Sequence, residues 1–147
     1  MAAADYSFTI EKGTAFVISF EYKDDNNNPI NLTNWCARLR WKDNNDVINT
    51  FNSNHTGADY EFVIDPLVGK ISLKIPASVT AAYTFTSASY DLELQEPNDL
   101  YSGGGKKVFR ILQGTISTIE RNVSDTDAFN CNFDSQDDFQ DSVLQRL

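Results

Sequence analysis

The chain has one histidine, one methionine, two cysteines and four prolines in 147 residues, and each scarcity removes a class of chemistry. A single histidine, His55, in the polar run Asn52 to Asp59, removes a multi-histidine metal site, and nothing beside it marks the serine and aspartate of a Ser/His/Asp relay. It reads as a loop residue. Twelve basic residues stand against twenty-one acidic ones, a net charge of -9. The only basic clusters are Lys106-Lys107 and the spaced Arg38, Arg40 and Lys42. Phosphate neutralisation needs a basic field, so nucleic acid is not an expected partner, and the same charge opposes anionic membranes. No apolar run approaches the length of a membrane span. The start, MAAADYSFTI, lacks the basic and apolar regions of a secretory signal, so a protein made and kept soluble is expected, unless it leaves its cell by lysis or another route. Without such a signal, the three glycosylation sequons at Asn31, Asn54 and Asn122 count for little.

What the chain does have is aromatic and alternating. Ten Phe, six Tyr and two Trp suit half-buried strands better than helices, and one domain of this length can bury a core without metal or disulfide staples. Residues 1–5 are small and read as a loose start. Tyr6, Phe8 and Ile10 alternate with polar neighbours. Ala15 to Tyr22 places Phe16, Ile18, Phe20 and Tyr22 on one face, and Trp35 to Lys42 sets Trp35, Ala37, Leu39 and Trp41 against Cys36, Arg38, Arg40 and Lys42. Val47 to Phe51, Tyr60 to Ile64 and Ile71 to Ile75 complete a series of short strands.

Turn chemistry separates them. Lys23 to Pro29 and Asp43 to Asp46 are Asx-rich runs that form turns more readily than calcium loops, since neither continues into the glycine and glutamate of an EF-hand. Pro76 to Tyr83 reads as one helical turn. Tyr90 to Ile119 then reads as a long hairpin with a mobile Gly103-Gly104-Gly105 tip, with Val108, Arg110 and Leu112 alternating against Phe109 and Ile111, and with a bulge or kink at Gly114. A strand follows the glycines, so they are a hairpin tip and no phosphate cradle. Seven or eight strands at this spacing predict an all-β antiparallel sandwich of Greek-key type. Cys36 reads as a buried or half-buried free thiol, and the sequence leaves open a bridge to Cys131. The Cys36 and His55 pair, and the carboxylates Asp91, Glu93 and Glu96, read as ordinary strand and loop residues, so no catalytic, metal-binding or cofactor residue is assigned.

Residues 125–147 carry six aspartates with Phe129, Phe133, Phe139 and Leu144 spaced among them. Such a segment is too poor in apolar residues to fold alone and reads as an arm that docks on a neighbour.

The order of pieces resembles a known family. The segments Asn28-Pro29-Ile30-Asn31-Leu32-Thr33-Asn34-Trp35, Gly69 to Tyr83 (GKISLKIPASVTAAY), Tyr90-Asp91-Leu92-Glu93-Leu94, and Val108 to Gly114 with a close near Val123-Ser124 are similar to the immunoglobulin-like β-sandwich domains of tailed-bacteriophage virion proteins. Those include the amino-terminal domains of baseplate upper proteins and related tail and neck domains. The resemblance covers residues 6–124. It departs at Asn34-Trp35, where a glycine is common, and in the acidic arm. It implies a non-enzymatic structural protein made in the host cytoplasm and carried in the virion, present in several copies in a symmetric assembly and joined to other virion structural proteins, with no cofactor. The contact residues expected are Asn98, Leu100, Tyr101, Lys106 and Lys107 in the hairpin loop, and Phe129, Phe133, Phe139 and Leu144 in the arm. A carbohydrate-binding module using Trp41, Tyr60, Tyr83 and Tyr101 is the alternative, with a head-surface decoration protein beside it.

Overall fold

Apolar residues at every second position force strands to pair so that one face of each is covered, and here they pair into two sheets. The computed structural model describes residues 3–120. The expected domain boundary at 124 and the arm residues Phe129, Phe133, Phe139 and Leu144 lie outside the described residues. One sheet has the order β1-β10-β9-β4-β5, formed by Ala4–Asp5, Lys106–Ile119, Ser87–Asp99, Cys36–Asp43 and Ile48–Asn52, with β2 (Phe8–Glu11) also on β10. The other has the order β3-β8-β7-β6, formed by Phe16–Glu21, Lys70–Ile75, Glu61–Asp65 and His55–Thr56. Leu39, Trp41, Leu92 and Leu94 from the first sheet and Phe62, Ile71, Leu73 and Ile75 from the second form one buried cluster between them. The architecture is an all-β sandwich. No helix among the described residues is long and apolar enough to cross a membrane.

Most of the expected strands and turns are present. Asp24 Oδ1 accepts from the Asn26 and Asn28 amides, and Asp43 Oδ1 from those of Asn45 and Val47. Asn27 and Asp46 sit at φ 66° and 64°, the left-handed region Asx side chains tolerate. The helical turn α1 spans Ala77–Ala81. Its buried Thr80 accepts from the Gly13 amide through Oγ1 and donates to the Thr14 carbonyl, tying the helix to the first turn of the chain.

Five expectations need correction, four in the body of the sandwich and one in the hairpin that leaves it. The pairing is not wholly antiparallel: β1 and β2 both run parallel to β10, at Leu112–Gln113 and Ile116–Ile119. His55 is a strand residue of β6, paired with Phe62, stacked 4.0 Å from the Tyr60 ring and 2.9 Å from Asp59 Oδ1. That contact holds the Asp59 carboxyl below its ordinary range, the hydrogen bond from His55 being the main cause. Cys36 is exposed, because strand alternation puts it on the Arg38 side of β4 whatever its affinity for a core.

The fourth concerns Gly114, which is regularly paired with Tyr90, so no bulge lies there. Its lack of a side chain serves a close approach: a Cβ at that position would collide with the Tyr6 carbonyl and touch the Tyr90 ring. That carbonyl accepts from the hydroxyl of buried Tyr90, while the Tyr6 amide donates to the Gln113 carbonyl at 2.9 Å and the Thr115 amide to Ser7 Oγ at 3.1 Å. The N-terminal strand is thus latched at its own break between β1 and β2. Burial first, then the neighbouring Tyr6 and Asp5, pushes the Tyr90 phenol up to about 12.

Candidate assembly surface

Between Ser87 and Gln95, β9 lies between β4 and β10, but β4 begins at Cys36, which pairs with Gln95. Past that point, among the described residues, β9 and β10 pair only with each other and continue as a two-stranded arm. From Gln95 to Asp99 the overhang is about 13 Å at ~3.3 Å per residue. The ladder shifts register between Lys106 and Val108, opposite Pro97, which has no amide to donate.

A second shift, between Arg110 and Leu112, leaves Ile111 as the extra residue of a bulge. Because side chains alternate, one extra residue flips everything beyond it. Leu112 pairs with buried Leu92 on the inner face, yet Arg110 pairs with Glu93 and Val108 with Gln95 on the outer one. Without the bulge, the period that carries Leu112 inward would carry Arg110 into the sandwich as well, a burial that an unpaired guanidinium resists strongly. The expected grouping of Val108, Arg110 and Leu112 on one face is therefore wrong. Phe109 takes the inner side, opposite Leu94, at the open end of the sandwich.

The outer face at this end is an ion ladder. Arg38 donates to Glu93 Oε1 from Nε at 3.1 Å and from Nη2 at 2.7 Å, Arg40 lies 3.9 Å from the same oxygen, and Arg110 Nη1 lies 3.6 Å from Asp91 Oδ1. Of the strand-face carboxylates considered for acid–base work, Asp91 and Glu93 are thus paired with cations on the flanking strands. These pairs are partly open to water, where each contributes at most about 1 kcal/mol. They orient the face more than they stabilise it. A cleft of about 280 Å³ opens beside them, lined by Cys36, Arg38, Asn52, Ser53, Gln95 and Val108 among others.

The tip is closed by Leu100 amide to Gly105 carbonyl and Gly104 amide to Tyr101 carbonyl, both 2.8 Å, with Gly103 and Gly105 at φ 82° and 79°. Lys106 Nζ donates to the Pro97 carbonyl at 2.8 Å and lies 3.2 Å from Asp99. Five of the expected contact residues, Asn98, Leu100, Tyr101, Lys106 and Lys107, come together here. Leu100 and Tyr101 are 62% and 68% exposed. Sequence reasoning missed Val108 and Phe109, which are 49% and 42% exposed and extend the apolar surface down the arm. For Val108 the polar run Gln95-Glu96-Pro97-Asn98-Asp99 opposite it was the available signal, whereas Phe109 pairs with buried Leu94 and had none. The aromatic set of the carbohydrate alternative does not form a platform: Trp41 is buried, with Tyr83 edge-on to it at 5.8 Å, Tyr60 stacks on His55, and Tyr101 stands at the tip.

One edge of this arm is open. β1 and β2 cover β10 from Leu112 to Ile119, but among the described residues nothing pairs with Lys106–Ile111 on that side. Compared with known protein families and with curated proteins, the sequence matches none.

Proposed function

We propose that this chain is a non-enzymatic structural component of a tailed-bacteriophage virion, an immunoglobulin-like sandwich of the tail, baseplate or neck that joins neighbouring virion proteins. The observation that carries the reading is the two-stranded arm, with its exposed Leu100, Tyr101, Val108 and Phe109 and its open edge. Exposed apolar side chains beside unpaired backbone groups favour association, by covering apolar area and by adding a strand.

The immunoglobulin-like part of the proposal is supported by strand order. β3, β8 and β7 correspond to the B, E and D strands, β4, β9 and β10 to C, F and G, and β5 to the extra strand of variable-type domains, with the first strand moved onto the last. Trp41 lies buried on β4, as the conserved tryptophan of such domains does on strand C, although no cysteine faces it from β3 or β9. Asn34, where the resembled family commonly has glycine, sits at φ 68°, a conformation glycine reaches freely and asparagine tolerates.

The test is limited proteolysis with mass determination, on the purified chain and on the particle or complex that contains it. Cleavage between Asn98 and Lys107 in the free chain and protection in the complex are expected. Equal cleavage in both would remove the arm from the assembly reading.

A further inference from the structure

We propose that the open edge of β10, Lys106–Ile111, is where the acidic C-terminal segment of a neighbouring copy of this chain docks as an added strand, an inference that rests on the assembly reading above. The edge sequence is Lys-Lys-Val-Phe-Arg-Ile, three cations with no acid, in a chain of net charge -9. Lys106 and Arg110 already lie near Asp99 and Asp91, whereas Lys107 has no ion pair among the described residues. Pairing this edge with a second copy of itself would set cations against cations, which disfavours a symmetric edge-to-edge contact. An acidic strand meets no such repulsion.

The chain supplies one. Residues 121–147 hold six aspartates against two arginines, and within them Phe129, Cys131 and Phe133 alternate with Asn130, Asn132 and Asp134. That is strand periodicity, with aromatic residues on one face to lie beside the exposed Val108 or Phe109. A strand added to an exposed edge gains its affinity from main-chain hydrogen bonds, and the alternate side chains set its register.

Reach selects a neighbour over the chain's own edge. β10 runs from Lys106 to Ile119, so the chain leaves it at the end opposite the hairpin. Phe109 lies about 33 Å back along the strand at ~3.3 Å per residue. From Ile119 to Cys131 the chain spans at most about 43 Å fully extended, and a reversal around β2 must come out of that length. An adjacent copy imposes no reversal. A tail-to-edge contact is heterologous, so repeated copies close into a ring or extend as a filament.

The test uses the full chain with Cys36→Ser and Lys107→Cys, leaving Cys131 as the only other thiol. Isotopically light and heavy chains are mixed and treated with a short bis-maleimide. Light-to-heavy peptides joining positions 107 and 131 are expected, together with concentration-dependent multimers on a denaturing gel. Links confined to one isotope would place the segment on its own edge and overturn the proposal, as would the absence of a 107–131 link. Sedimentation velocity gives the second readout: Lys107→Glu should weaken self-association about two- to five-fold, and adding Asp134→Lys should restore it. A full chain that stays monomeric while its arm is protected in the particle overturns this link alone. A monomer whose arm is unprotected there overturns the assembly reading with it.

Discussion

Replacing Gly114 with alanine tests the latch between the N-terminal strand and β10. The added Cβ meets the Tyr6 carbonyl oxygen and carbon, backbone atoms that cannot swing aside, and the strand must back away. Three hydrogen bonds depend on that approach: Tyr90 hydroxyl to Tyr6 carbonyl, Tyr6 amide to Gln113 carbonyl, and Thr115 amide to Ser7 Oγ. At about 1 kcal/mol net apiece their loss costs about 3 kcal/mol. Displacing Tyr6 and Phe8, whose rings pack on Phe20 and Phe16, leaves less room for relief. For a chain of this size, about 3 kcal/mol lowers Tm by roughly 10 °C. Urea unfolding followed by circular dichroism, together with calorimetry, measures both. A Gly114→Ala change within about 0.5 kcal/mol of the parent, the range of a neutral surface substitution, would refute the close-approach account of this glycine.

Alkaline pH reaches the same latch. The Tyr90 phenol is raised from its ordinary 10 to about 12, so the folded chain keeps a proton that the unfolded chain gives up. Its contribution is complete below pH 10 and is lost as pH rises through about 12, at most about 3 kcal/mol for a shift of that size. Tyr83 is raised to about 12 by burial and acts in the same direction. Urea midpoints should therefore fall across this window, and Tyr90→Phe should make the fall shallower; an unchanged slope contradicts the assignment. Trp41 Nε1 is buried and has no hydrogen-bond partner among the described residues, so Trp41→Phe removes an unsatisfied donor as well as volume. The two effects oppose each other and leave stability within about 1 kcal/mol of the parent by the same urea assay. Exposed Cys36 should react with a thiol reagent in the folded chain at a rate close to that in denaturant; reaction only on unfolding would restore the buried reading.

The strands were legible because alternation is local. Ala37, Leu39 and Trp41, or Leu92 and Leu94, announce their face within a few residues, and the Asx runs announce their turns. What was not legible depends on pairing between distant segments. The bulge at Ile111 is a register decision made against β9, and the only local hint was Arg110 falling in line with Leu112. Gly114 looked like an irregularity of its own strand, yet its reason is Tyr6, brought beside it by parallel pairing. Cys36 was judged by residue type when its neighbours had already assigned its face. At the candidate surface, the glycine tip and its polar flanks pointed to the loop, while Val108 and Phe109 stand exposed because β4 begins only at Cys36, opposite Gln95.

The central claim is that the arm of β9 and β10 is an assembly element, and amide hydrogen exchange of residues 106–111 tests it most directly. The open edge should exchange fast in the isolated chain at low concentration and slow markedly in the recovered particle or complex, while the amides of Leu92 and Leu94 stay slow in both. Exchange at 106–111 that is equally fast in the two states would contradict the account.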